Sequence, residues 1–288
     1  IVCGSYSGIE PSFGADAAFM YHTLSRHYTF NGIYYLHAEP SIAPEANGIA
    51  TKENIRWAIK NWLDQRSDSN DIIFVYYTDH GAGYNTYYKQ VRGLDDPAKA
   101  IDGKRGDPVD EGNEVWNATA GKWVGYDEAL TLQRGTDTTY WDDEIKADLN
   151  YLASRGRYGK LVFVCFACYS GGLIDDLSAP NRIIMTSANE TTTSPKFGPG
   201  SWFNSWSERF IEALHREKVT WDYNKTCLIH TGVSVNADWS NDGNISMWEA
   251  WDYAWKNDYW RQQGKETPWL DDNGDSLPNY KEGRDMSD

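Results

Sequence analysis

Apolar positions fall in short unbroken runs, separated by stretches where they recur with helical spacing. Runs without a helical period occupy residues 1–6, 33–36, 72–78, 161–167, 182–187 and 227–232. Continuous runs rich in Val, Ile, Phe and Tyr predict strands buried on both faces. Between them, Phe13, Ala17, Met20, Tyr21 and Leu24 make one helical stripe. Thr51 is placed to cap a second helix, whose stripe Ile55, Ala58, Ile59, Trp62 and Leu63 follows i, i+3, i+4, i+7, i+8. Ile145, Leu149 and Leu152 mark a third, and Phe203, Trp206, Phe210 and Leu214 a fourth. Strands alternating with helices predict an α/β fold with a mostly parallel sheet covered on both faces. From residue 81 to about 140 the rhythm breaks. That Gly-, Asp- and Asn-rich stretch is too long to be structureless inside a compact domain, and a hairpin of 114–116 against 122–124 is expected in it.

Composition narrows the class. A chain of 288 residues can bury a core without staples, and four cysteines are too few for a disulfide scaffold. The formal charge of −15 repels phosphate backbones and argues against a nucleic-acid partner. No apolar run is long enough to span a membrane. Most of the 14 Trp and 19 Tyr are expected in core and rim. Ile1 is not a start Met and already opens a strand, so the chain reads as a piece of a longer precursor, with a propeptide or neighbouring domains as potential partners.

Two strands run into reactive residues. The run 72–77 leads into Thr78-Asp79-His80-Gly81, and 161–166 into Ala167-Cys168-Tyr169-Ser170-Gly171-Gly172. In open α/β sheets ligands bind beyond the carboxyl ends of strands. If these strands are neighbours, His80 and Cys168 share that rim. A thiolate is the competent nucleophile, an imidazole can support it or protonate a leaving amine, and N–H groups near Gly81 and Cys168 can hold an oxyanion. Each residue alone is more often a small buried hydrophobe or a satisfied polar group; the pair at two strand ends shifts the balance. Cys165 and Cys168 make a Cys-x-x-Cys, but residues three apart on a strand face opposite sides, and no second pair completes four zinc ligands. Cys3, Cys165 and Cys227 read as buried free thiols.

These blocks resemble the caspase-like cysteine peptidases, and most closely the legumain-type (C13) family. Thr78-Asp79-His80-Gly81-Ala82 and Ala167-Cys168-Tyr169-Ser170-Gly171 are near matches to its two catalytic blocks. Ala15-Asp16-Ala17 resembles the start of its first helix. The resemblance implies a three-layer sandwich around a six-stranded sheet of order 2-1-3-4-5-6. It implies endopeptidase chemistry on a peptide or protein substrate, with Cys168 as nucleophile, His80 as general acid/base, and the amides of Gly81 and Cys168 as oxyanion hole. Ser187, Asn189, Glu190, Thr193 and Ser194 correspond to its substrate-pocket loop. The chain departs from the family at residues 8–13, which lack the orienting Asn and the Arg and His that follow it. It departs again at Phe166 and near Gly200-Ser201-Trp202, where acids are missing. Cleavage after Asn is therefore not implied, and an acidic pocket using Glu190 or Asp175 would suit a basic residue.

Residues 238–249 match an EF-hand loop, with oxygen ligands at Asp238, Ser240, Asp242, Asn244, Ser246 and Glu249, Gly243 at the turn and Ile245 at position eight. This predicts a structural Ca2+ ion. Asp271, Asn273 and Asp275 make a second acidic turn, equally readable as calcium ligands or as a plain Asn-Gly turn. Loops tuned to millimolar calcium suit a secreted or cell-surface setting. The expected organisation is a peptidase domain over 1–235, with 81–140 inserted, and a calcium-loop extension over 236–288 packed on the core. Two functions remain in play: a calcium-stabilised cysteine endopeptidase, and a catalytically silent structural or surface-assembly module on the same scaffold.

Overall fold

The structure, a computed structural model, describes residues 1–6, 11–82, 115–117, 122–124, 128–190, 192–195, 205–222 and 227–276. In chain order its elements begin with β1 (Val2–Cys3), α1 (Pro11–His27), β2 (Leu36–His37), β3 (Gly48–Ile49) and α2 (Lys52–Trp57), followed by β4 (Ile72–Thr78) and β5 (Gly81–Ala82). Next come β6 (Val115–Asn117), β7 (Lys122–Val124), β8 (Ala129–Thr131), β9 (Thr139–Trp141), α3 (Asp142–Ser154) and β10 (Lys160–Phe166). The chain continues through α4 (Leu173–Leu177), β11 (Arg182–Thr186), α5 (Trp206–His215), β12 (Glu217–Asp222), β13 (Cys227–Ser234), α6 (Met247–Asn257), α7 (Tyr259–Gln262) and β14 (Trp269–Asp271).

The described strands form a seven-stranded central sheet of order β14-β11-β10-β4-β1-β2-β3, parallel except for β14. Side chains of successive residues alternate between its faces. Val162 and Val164 pack on one side with Phe19, Met20 and Leu24 of α1, Phe210 and Leu214 of α5, and Trp251 of α6. Leu161, Phe163 and Cys165 pack on the other with Ile55 of α2, Leu149 and Leu152 of α3, and Ile174 of α4. The result is a helix–sheet–helix sandwich of caspase-like architecture, and it explains why the strands read as unbroken apolar runs.

Thr51 does cap α2, accepting the Asn54 amide at 3.2 Å. From Ala58 to Leu63 the hydrogen bonding widens to a π-helix, and of the predicted stripe Ile55 and Ile59 are buried. A charged seam joins this helix to α3. Lys52 bridges Asp137 and Glu144 at 2.6 and 2.5 Å, while Arg56, Lys60 and the Tyr140 hydroxyl converge on Asp148 at 3.0, 2.5 and 2.7 Å. Asp148 has no exposed surface, so its charge depends on these partners.

The expected hairpin forms, with Val115 opposite Val124 and Asn117 opposite Lys122. β5, β8 and β9 make a further small antiparallel sheet. The order 2-1-3-4-5 of the first five expected strands holds, but the expected sixth does not. Residues 227–234 pair with β12 in a separate antiparallel ribbon, and the sheet ends instead in the antiparallel strand β14, paired with β11. The apolar run there is half-solvated, with Ile229 45% and Val233 51% exposed. A run of this length does not distinguish a ribbon from a buried parallel strand. β14 is only three residues long, followed directly by acidic turn residues, and it carries no periodicity to read.

Candidate active site

The pairing of β4 with β10 brings Thr78 opposite Phe166 at the carboxyl edge of the sheet. Two residues past this pair lie His80 on one strand and Cys168 on the other. The ladder extends beyond the strand ends, because the Asp79 amide donates to the Phe166 carbonyl at 3.1 Å. Residues separated by 168 − 80 = 88 positions thereby reach the same level of one rim.

Cys168 is half-buried, and its Sγ accepts the Ser194 amide at 3.4 Å. The amides of Gly81 and of Cys168 itself also bear on the sulfur. Burial nonetheless wins over these donors and pushes the thiol above its ordinary pKa, so the resting sulfur carries its proton. A Cβ on Gly81 would collide with the Cys168 carbonyl oxygen. Only glycine lets the two chains approach this closely and brings its N–H to the sulfur. Tyr169 follows in the left-handed region, with φ of 59°, and its amide donates to Thr192 O at 2.9 Å. That turn, costing a non-glycine residue roughly 1–2 kcal/mol, swings the chain away just after Cys168.

The backbone of His80 is fixed on both sides. Its amide donates to its neighbour Asp79 at 2.6 Å, and its carbonyl accepts both the amide and the hydroxyl of Thr131 at 3.1 Å. Phe13 of α1 meets the imidazole edge-on, with centroids 5.1 Å apart at 81°. An aromatic ring thus flanks the imidazole. Phe13 also packs on Phe166, at 6.3 Å, so the position before Ala167-Cys168 belongs to the apolar floor. Residues 8–10 and 200–202, singled out in the sequence, lie outside the described residues.

The pocket-loop residues divide into two groups. Ser187 is fully buried and latched to Ala167, its Oγ accepting the amide at 3.2 Å. Ser194 is buried as well, and its hydroxyl donates to Glu266. Both side chains are bonded within the protein. Asn189, Glu190 and Thr193 keep solvent access. Asp175 has its pKa raised by crowding protein atoms first, then by the charges of Glu190 and Asp271, so three carboxyl groups share one field beside the loop.

The EF-like loop has the backbone its motif requires. Gly243 adopts φ of 91°, Ile245 is buried in the core, and α6 starts at the tenth position from Ser246, which accepts the Glu249 amide at 3.2 Å. The Asp238 carboxylate accepts the amides of Asp242 and Gly243 at 3.2 and 3.0 Å, and Glu249 accepts those of Ser240 and Ser246 at 2.8 and 2.9 Å. The donor set is all oxygen, the chemistry a calcium ion takes, and its carboxylates are bonded to the loop's own amides. In the second turn, Asp271 accepts the amides of Asn273, Gly274 and Ser276 and the hydroxyl of Ser178, and Asn273 and Asp275 bond to each other. This is the bonding of an Asn-Gly turn capped by its own aspartate.

Among the described residues, the one group of three His, Cys, Asp or Glu side chains with ligand atoms within 4.8 Å of one another is neither loop but His215, Glu217 and His230. No sequence motif announces it: a His-x-Glu at a helix end and a His 13 residues on do not stand out from chance. No described helix is long and apolar enough to cross a membrane. Residues 125–200 match the model of the Peptidase C13 family, a span that includes Cys168 and the pocket loop. No curated protein matches the chain.

Proposed function

We propose that the chain is a cysteine endopeptidase of the legumain-type C13 kind, whose family model matches residues 125–200, with Cys168 as nucleophile and His80 as general acid/base. The observation that carries this reading is the matched offset of the two residues beyond the Thr78–Phe166 pair. The thiol, protonated at rest, loses its proton to the imidazole as the scissile carbonyl enters. The thiolate attacks, and the Gly81 and Cys168 amides take the developing oxyanion. His80 then protonates the leaving amine. The acyl-enzyme is released by a water that the same imidazole deprotonates. The cluster of Asp175, Glu190 and Asp271 favours a basic side chain in the first pocket, since a cation relieves their mutual repulsion. The EF-like loop holds a structural calcium ion through Asp238, Ser240, Asp242, Asn244, Ser246 and Glu249. An oxygen-only loop and a net charge of −15 suit a secreted or surface protein in millimolar calcium.

The deciding experiment is peptide-library cleavage by wild type, Cys168→Ala and His80→Ala with calcium present. Cleavage lost in both variants, with a basic residue preceding the cut, supports the full reading. One observation favours the alternative of a silent structural module: residues 8–13 lack the family's orienting Asn. Native assemblies that form equally well with Cys168→Ala, in a chain that cleaves nothing, would decide for that alternative.

A further inference from the structure

At the far end of α5 the backbone makes an unusual turn. Arg216 is left-handed, with φ of 63°, so His215 at the helix end and Glu217 at the start of β12 converge although only one residue separates them. Across the ribbon the pairing slips: Glu217 lies opposite Ser234, but Val219 lies opposite His230. Gly232, at φ of 72°, sits within the bulge and donates its amide to Glu217 at 2.8 Å. Bulges re-aim side chains, and this one sets His230 against Glu217, with Nδ1 and Oε2 3.2 Å apart. The His215 and His230 rings stack at 5.3 Å.

We propose that His215, Glu217 and His230 form a binding site for a divalent transition metal of the zinc class, with the fourth position open to water. Two imidazoles and one carboxylate are a recurrent zinc donor set. The Nδ1 of His215 is paired with the buried Thr23 hydroxyl at 3.1 Å, the kind of outer partner that fixes a ligating ring and leaves Nε2 for the ion. Arg26 reaches the cluster from α1 and meets Nε2 of His230 at 3.1 Å. This exposed guanidinium is the cation now resting on the cluster, and it must yield to the metal. His27 packs edge-on against His215 at 4.6 Å and Arg216 turns away to the Gly243 carbonyl at 2.7 Å, so they wall the site. Ligands of a tetrahedral ion with bonds of about 2.0 Å stand roughly 3.3 Å apart. Closing from within 4.8 Å requires only side-chain rotation of Glu217 and the exposed His230. A bound ion would clip the half-solvated ribbon to the end of α5.

The test uses the full chain as Cys168→Ala with saturating calcium, so that neither the thiol nor the acidic loop takes the probe. Zn2+ is titrated calorimetrically, and Co2+ by visible absorption. The expected result is one equivalent bound with micromolar or tighter Kd, an intense low-coordinate Co2+ band, and at least tenfold weaker binding in Glu217→Gln and in His230→Ala. Arg26→Gln should bind more tightly. Both cluster variants alter exposed or half-exposed side chains, and unchanged circular dichroism verifies their fold. No binding at one equivalent, or equal affinity in His230→Ala, overturns the proposal and leaves the peptidase reading untouched.

Discussion

Gly81 runs so close to Cys168 that a side chain at position 81 would strike the Cys168 carbonyl oxygen. The obstacle is backbone, which cannot rotate aside. Gly81→Ala should therefore cost about 1–3 kcal/mol of stability, as overpacking does. Under the proposed role of the Gly81 amide as oxyanion donor, kcat should also fall by about a hundredfold or more. Chemical denaturation and steady-state kinetics measure the two effects. An active, fully stable Gly81→Ala enzyme would refute the close approach.

Phe13 fixes the imidazole from the side. Phe13→Leu keeps an apolar residue against Phe166 but removes the ring that His80 meets edge-on. We expect kcat to fall about tenfold with KM nearly unchanged in steady-state kinetics. A proportional change in KM would mean that Phe13 contacts substrate.

Two buried carboxyl groups near the pocket loop make stability depend on pH. Burial lifts Asp258 to about 6, and burial followed by the Asp258 charge pushes Glu266 well above its ordinary value. Folded carboxyl groups that hold protons more tightly than unfolded ones, at about 4, contribute stability below that pH and lose it as pH rises through about 6. Neutral His37 and His215, pushed down to about 4 by burial, act in the opposite sense. Their contribution is present above about 6.5 and is lost as pH falls through 4. Asp258→Asn keeps the cap on α7 but removes the first contribution. Its stability should climb more steeply than wild type between pH 4 and 6 in urea melts. Parallel curves would show that Asp258 titrates normally.

Chelation of calcium should lower the melting temperature, and Glu249→Gln should abolish the difference between calcium-loaded and chelated protein. Thermal scans with and without chelator report both. Identical melting of wild type under the two conditions would remove calcium from the description.

Much of the central sheet was legible because a strand buried on both faces has little choice but to be apolar throughout. The runs 72–78 and 161–167, once neighbours, put His80 and Cys168 on one rim, and they are neighbours. What escaped depended on geometry that leaves no period. β14 is too short for alternation, and residues 227–234 are apolar without being enclosed. The burial of Ser187 and Ser194 likewise leaves no mark in the sequence, since a serine reads the same at a surface and within a wall. The convergence of His215, Glu217 and His230 rests on a left-handed arginine and a slipped register, neither of which has a sequence signature.

The partner of β11 arrives late. β11 ends at Thr186 and β14 begins at Trp269, so 269 − 186 = 83 further residues must leave the ribosome before that flank of the sheet is paired. At about 5–20 residues per second the interval is roughly 4–17 s. Throughout it the nascent chain presents a row of open amides and carbonyls to any neighbouring strand. Expression yield should therefore respond to translation speed over residues 187–269, and a truncated product ending before Trp269 should accumulate as insoluble material.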